Sequence, residues 1–245
     1  MCFHSFLVEL QRQLVRLMPG HCLLCKCPTV CLTGYCMACV HALPRNILSC
    51  HFCALPLDVH GQTRCARCLR HPRFQCATVP LLYSGNVPAL IHAFKFHAAL
   101  PAATLLAGLL DKSLPVLDGA YLLTVPQHPH RARQRGFDHI EWLASLCQTI
   151  RHFPRITAYR CYDTPPLRQL NRRQRLKLMK DAFAIKSNVS GKHIVLLDDV
   201  MTTGATLHAL ATRCQQLGAR RVEAVALART PPSAWLDLHA PYNPH

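Results

Sequence analysis

Acid is the scarcest chemistry in this chain. Only 12 Asp and Glu stand against 28 Lys and Arg in 245 residues, a formal charge of +16. So lopsided a balance excludes a neutral surface and points to an anionic partner: a nucleotide, a nucleic acid or an acidic membrane surface. No apolar run reaches about 18 residues, which argues against a membrane-spanning helix. The first residues carry Glu9, Arg12 and Arg16 inside an amphipathic pattern, without the apolar stretch of a secretory signal. No Gly-Lys-Thr or Gly-Lys-Ser follows a Gly-rich turn, which excludes a P-loop. Aromatic residues make up 7% of the chain, few for a protein that stacks single-stranded bases.

Cysteine, by contrast, is abundant, with 15 residues. Without a sign of export they are expected to be reduced, and the chain to be cytoplasmic. Residues 20–76 hold four CxxC pairs: Cys22/Cys25, Cys36/Cys39, Cys50/Cys53 and Cys65/Cys68. A CxxC turn brings two thiolates to one tetrahedral metal, and a second such turn completes the shell. Ten residues separate the first two pairs and eleven the last two. The simplest assignment is two structural Zn2+ sites in sequential ribbons, Cys22/Cys25/Cys36/Cys39 and Cys50/Cys53/Cys65/Cys68. An interleaved pairing, first with third and second with fourth, stays open. Cys27 and Cys31 are near enough to compete as ligands, and His21, His41, His51 and His71 are read as surface imidazoles.

The most informative stretch is 194–206. Ile194, Val195, Leu196 and Leu197 form an apolar run. Asp198, Asp199, Val200 and Met201 follow, then Thr202, Thr203, Gly204, Ala205 and Thr206, and then a helical pattern (Leu207, Leu210, Ala211, Cys214, Leu217). This reads as a buried strand, a loop and a helix, with the loop beyond the carboxyl end of the strand, where open α/β sheets bind ligands. Residues 202–206 can offer successive N–H groups and hydroxyls to a phosphate at a helix N-terminus, and Gly204 allows close approach. Two carboxylates repel phosphate, so Asp198 and Asp199 should face sugar hydroxyls or Mg2+. Phosphate and diol recognised side by side mean a phosphorylated ribose.

This pattern resembles the phosphoribosyl-pyrophosphate (PRPP) loop of type I phosphoribosyltransferases. The rest of the chain alternates strands and helices, which predicts a parallel, doubly wound α/β sheet. Strands are expected at 78–83, 121–126, 156–161, 193–199 and 222–228. Helices are expected at 87–96, 100–110 and 137–150. The organisation read from this is an amphipathic helix over 1–19, a double zinc ribbon over 20–76, an α/β domain over 77–230 and a Pro-rich tail over 231–245. A basic loop (His128, His130, Arg131, Arg133, Arg135) is a candidate pyrophosphate holder. The basic stretch 168–180 is a candidate lid or a track for nucleic acid backbone.

Taken in order, the four CxxC pairs, Phe94-Lys95-Phe96, Val125-Pro126, Arg135-Gly136-Phe137-Asp138, the basic 168–180 stretch and the 198–206 loop are similar to the ComF family, GntX-type members above all. The resemblance spans residues 20–230. It implies a type I phosphoribosyltransferase fold behind a double zinc ribbon, in proteins of DNA uptake or of the use of DNA as a nutrient. It also implies that Asp198 and Asp199 hold ribose hydroxyls and Mg2+, that 202–206 bind the 5-phosphate, and that Lys95 and Arg135 are basic site residues. The chain departs from the family pattern at Gln127, at Asp138-His139 and at Leu178.

Two functions are compatible with these residues. One is an enzyme that binds PRPP with Mg2+ and transfers its ribosyl group to an acceptor the sequence does not name. The other is a single-stranded DNA-binding module that retains the phosphate loop. A third use, docking of a helicase or another uptake protein on the zinc ribbons, is compatible with either.

Overall fold

The computed structural model describes residues 20–29, 34–72, 74–127, 136–160, 183–233 and 235–236. The expected helix at 1–19, the basic loop with Arg135 (128–135) and the basic stretch at 168–180 lie outside the described residues, as does most of the 231–245 tail.

The chain begins with β1 (Gly20–His21) and β2 (Pro28–Thr29), then the short helices α1 (Met37–His41) and α2 (Ala66–Arg70). The main sheet is built from β3 (Cys76–Thr78), β4 (Leu81–Leu82), β5 (Ala120–Thr124), β8 (His193–Met201) and β9 (Arg221–Arg229). Around it lie α3 (Val87–His97), α4 (Leu100–Asp111), α5 (His139–Leu146) and α6 (Ala205–Gln216). The strand order is β3-β9-β8-β5, with β4 following β3 along the same side of β9, and every pairing is parallel.

Strands β8 and β9 are nearly all buried because both of their faces are covered, as parallel strands between helices require. The pleat sorts their side chains. Val195, Leu197, Val225 and Leu227 join the core under α3, α4 and α5. Ile194, Leu196, Ala224 and Ala226 join the opposite core under α6.

Two expectations need correction. The segment expected to supply a strand at 156–161 does not enter the main sheet. β6 (Ala158–Arg160) pairs antiparallel with β7 (Phe183–Ile185) as a separate ribbon, and only an isolated bridge from Arg155 to Leu122 touches the sheet edge. The helix expected over 137–150 is shorter, because Asp138 accepts from the N–H groups of Ile140 and Glu141 and fixes its start, and Cys147 leaves helical geometry.

The cysteine-rich segment is continuous with the sheet. Asn46 N–H donates to Pro80 O (2.9 Å) and Leu82 N–H to Pro44 O (2.9 Å). Cys22, Tyr35 and Leu43 are buried in the same core as Phe94 and Leu106. The first four-cysteine group therefore packs as part of the α3/α4 layer. The second forms its own small core from Cys50, Cys53, Leu57, Cys65 and Cys68.

Candidate functional site

The eight CxxC cysteines come together in two groups, Cys22/Cys25/Cys36/Cys39 and Cys50/Cys53/Cys65/Cys68, with the sulfurs of each group within 4.8 Å of one another. These are the sequential sets, so the interleaved pairing is not the one the fold makes. A tetrahedral Zn2+ with bonds of about 2.3 Å places its sulfurs roughly 3.8 Å apart. Cys25 and Cys36 sulfurs are 3.7 Å apart, and those of Cys53 and Cys65 are 3.6 Å apart. The donor sets fit a closed structural Zn2+ site each.

Local backbone supports thiolate there. Cys36 N–H points at Cys22 Sγ (3.4 Å) and Cys39 N–H at Cys36 Sγ (3.5 Å). Burial opposes charge on Cys22, but backbone N–H groups outweigh it and bring its thiol down to about 6. Cys27 is exposed and belongs to neither group, and His21, His41, His51 and His71 are exposed. Cys31 lies outside the described residues.

The strand β8 runs on through both acids to Met201, two residues beyond the strand expected at 193–199. Its carboxyl end opens on a pocket of about 150 Å³ that collects Lys95 from α3, Gln127 after β5, His139 from α5, Arg160 from β6, Asp198 and Asp199 from β8, and Thr206 from α6. Of the residues expected at this site, the fold brings Lys95, Asp198, Asp199 and Thr206 together. Met201, Thr202, Thr203 and Gly204 face a different cavity on the far side of the loop. Val200 and Ala205 line neither, and Arg135 lies outside the described residues.

Asp199 is the charged centre of the pocket. Lys95 Nζ and His139 Nε2 (3.1 Å) both donate to its Oδ2, and Val200 N–H donates to its Oδ1 (2.8 Å). Burial works against the charge, but the His139 hydrogen bond and the Lys95 ammonium outweigh it and hold this carboxyl well below the usual carboxylate range. Asp198 is the opposite case. The residue is only half-buried, yet its carboxyl end is enclosed. Burial and the neighbouring Asp199 charge push it well above the carboxylate range. One buried carboxyl is thus held as an anion by Lys95 and the His139 hydrogen bond, and the other is pushed towards its neutral form.

Two of the three departures from the family pattern meet here, and Leu178 lies outside the described residues. Gln127 Nε2 donates to Asp138 Oδ1 (2.8 Å), Asp138 caps α5, and the cap sets His139 against Asp199. Sequence reasoning marked Gln127, Asp138 and His139 as differences but not as site residues. Their shared signal was that the two departures stand on segments which flank one strand end.

The loop itself is held from behind. Gly204 sits at φ +69, the left-handed geometry that starts α6 and that a β-carbon would strain. Thr203 Oγ1 accepts from Ala205 N–H (3.3 Å). The guanidinium of Arg229, buried at the end of β9, donates to Met201 O (2.8 Å), Thr202 O, Thr230 O (2.9 Å) and Cys53 O (3.2 Å). Arg229 therefore joins a cysteine of the second four-cysteine group to the 201–204 loop, a connection that no spacing in the sequence announced.

The chain is 31% identical to DNA utilization protein YhgH of Salmonella typhi over 228 residues, 86% of this chain and 98% of that protein. The chain belongs to the ComF family. DNA utilization protein YhgH of Escherichia coli K12 is 30% identical over 230 residues, again covering 86% and 98%. Competence protein F of Haemophilus influenzae is 25% identical over 209 residues, 80% of this chain and 90% of that one. The family model for the phosphoribosyl transferase domain matches residues 167–243 of this ComF protein. Among solved structures, a hypoxanthine-guanine phosphoribosyltransferase from Bacillus anthracis overlaps 59% of this chain and 71% of its own at 16% identity and a TM-score of 0.33, and nothing further rests on that overlap. Among the described residues, no helix is long and apolar enough to cross a membrane.

Proposed function

We propose that this ComF protein binds a phosphoribosyl ligand, PRPP with Mg2+, at the carboxyl end of β8, and that it acts in the cytoplasm in DNA uptake or in the use of DNA as a nutrient. The observation that supports it best is the side-by-side arrangement of the acid pocket and the hydroxyl-rich loop. Asp198 and Asp199 face one pocket with Lys95 and Thr206, and 202–204 follow on the same loop, facing the cavity on its other side. In this reading 202–206 hold the 5-phosphate, and Asp198 takes the ribose diol. Lys95, with Arg135 from the basic loop, would neutralise pyrophosphate.

Mg2+ suits this donor set because it binds through one or two carboxylates together with ligand phosphates. Asp198 and Asp199 are the residues that would hold it, and it would supply charge neutralisation for the pyrophosphate. Asp199 already accepts from Lys95, His139 and the Val200 N–H. It therefore fixes the Lys95 ammonium and the His139 ring beside the ligand and would share Mg2+ with Asp198, which also meets the sugar. If an acceptor attacks, the carboxylates stabilise the positive charge that develops on the ribose.

Titration calorimetry of PRPP with Mg2+ into the zinc-loaded protein tests this, beside the Asp198→Asn/Asp199→Asn double variant. Binding by wild type and its loss in the variant support the site. A folded, zinc-loaded wild type that takes up no PRPP overturns it.

A second reading is a non-enzymatic single-stranded DNA binder. It draws on Arg64, Arg67 and Arg70, all exposed in and beside α2, next to the second metal group. Binding through such residues weakens steeply with salt. A flat plot of log affinity against log salt concentration refutes that reading.

A further inference from the structure

The ribbon of β6 and β7, formed in place of the fifth sheet strand expected at 156–161, brings Arg160 to the acid pocket. Its course starts at the sheet edge. The bridge from Arg155 to Leu122 is parallel, and Ile156 N–H donates to Leu122 O (2.8 Å), so the chain leaves β5 heading for the carboxyl end of the sheet. Arg160 stands five residues beyond Arg155, as Gln127 stands five beyond Leu122, and both line the pocket.

The ribbon fixes this arginine from one face of the sheet. Arg160 is paired directly with Phe183 across the two strands, and its guanidinium lies over that ring, 5.6 Å from the centroid. The ring is buried in the core under α6, and Ala158 and Ile185 pack against the same core. A guanidinium stacked on an aromatic face is oriented by it. Lys95 and His139 reach the pocket from α3 and α5, which cover the other face. The strand end therefore has a cation from each face: Lys95, committed to Asp199, and Arg160.

Position across the sheet decides what Arg160 meets. In the order β9-β8-β5, Met201 pairs with Arg229 of β9, whose guanidinium holds the 201–204 loop, so the loop lies on the β9 side of the pocket. The segment that carries Arg160 runs along the outer edge of β5 and lies on the other side. A ribose with its 5-phosphate on the loop and its diol at Asp198 extends its C1 substituent towards β5. In PRPP that substituent is the pyrophosphate.

We propose that Arg160 binds the C1 pyrophosphate of PRPP, and that this contact is what makes the pocket prefer the diphosphate to ribose 5-phosphate. The inference rests on the phosphoribosyl reading above and adds to it a residue and a selectivity. The guanidinium fork matches phosphate oxygens with charge-assisted hydrogen bonds.

The test is titration calorimetry on the zinc-loaded full chain with two probes, PRPP with Mg2+ and ribose 5-phosphate, for wild type, Arg160→Gln and Arg160→Lys. Losing one charged hydrogen bond weakens binding by about tenfold or more, so Arg160→Gln should lose at least about tenfold for PRPP and stay within about twofold for ribose 5-phosphate. The retained ribose 5-phosphate binding is the control for folding. Arg160→Lys keeps the charge and should recover part of the PRPP loss. A Gln variant that keeps its PRPP affinity or loses both ligands alike, or a Lys variant no better than the Gln one, overturns the inference and leaves the phosphoribosyl site standing. A folded wild type that takes up no PRPP overturns the site reading and the inference with it.

Discussion

Replacing Arg229 with leucine should loosen the 201–204 loop before it disturbs anything else. The guanidinium satisfies four carbonyls, at Cys53, Met201, Thr202 and Thr230. Met201 O keeps a second donor, Thr230 N–H at 3.1 Å. Cys53 O, Thr202 O and Thr230 O lose a charged donor. An orphaned buried carbonyl costs about 1–3 kcal/mol. Thr202 is exposed, Thr230 is half-buried, and all three residues border a cavity of about 480 Å³, which favours the lower end of that range. Three such groups and the lost packing together come to about 3 kcal/mol. For a chain of this length that lowers the unfolding midpoint by about 6–12 °C. Urea unfolding of the zinc-loaded protein measures the total, and hydrogen exchange locates it. Protection should fall at the amides of 201–205 and hold in the centre of β8. A loss under about 1 kcal/mol, or unchanged exchange across the loop, refutes the view that Arg229 holds it. Arg229→Lys should recover little, because a single ammonium cannot span four acceptors as the planar fork does.

The two acids should respond oppositely to substitution. Asp198→Asn removes a carboxyl that folding holds above its ordinary value. A raised group stabilises fully below the unfolded value, about 3.9, and that contribution is lost as pH rises through the folded value. The variant should therefore be more stable than wild type at pH 7, match it at pH 3, and fail to bind PRPP. Asp199 is held below its ordinary value, so its contribution is present above about pH 3.9 and is lost as pH falls through the lower folded value. Asp199→Asn should be less stable than wild type at pH 7, with the difference narrowing in acid denaturation scans below about pH 4. His139→Asn removes a donor from Asp199 and should weaken PRPP binding by about tenfold, roughly one charged hydrogen bond, read by calorimetry. Cys68→Ser should release one of two zinc ions, seen in a colorimetric count, and lower loop protection through Cys53 and Arg229. Cys39→Ser should instead destabilise the α3/α4 core, because Cys22 of that group is buried in it.

Much of this was legible in the chain because the residues that carry it are contiguous. The apolar run of β8, the acids and the small hydroxylated turn lie within 13 residues, and the strand-to-helix reading follows from their order. The CxxC spacing declared metal sites for a similar reason. A knuckle is a local device, and the fold needed only to choose which knuckles pair. Long-range geometry stayed out of sight. That Lys95 reaches Asp199, 104 positions away, depends on α3 crossing the carboxyl end of the sheet. By its neighbours alone, two phenylalanines, Lys95 reads as a snorkelling surface lysine. The segment expected as a strand at 156–161 does form one, β6, but outside the main sheet, for a related reason. Its apolar content was right, but it found an antiparallel partner in β7 before the sheet edge, and residue pattern does not name a partner.

The cysteine-rich segment has a physical reason to be joined to this sheet. A loop that cradles phosphate must keep its N–H groups aimed outward, so its carbonyls turn the other way and need donors of their own. In this protein the donor is Arg229, and the backbone of Cys53 anchors its far side. Cys53 is fixed in turn by its metal group, whose small core is too sparse to hold its shape on apolar contacts alone. Metal, arginine and loop thus form one chain of support. Removing zinc from the second group with a chelator should therefore reduce PRPP affinity although no metal ligand touches the acid pocket. Stripping that leaves PRPP binding intact would show the loop to be self-supporting, with the ribbon kept for another purpose.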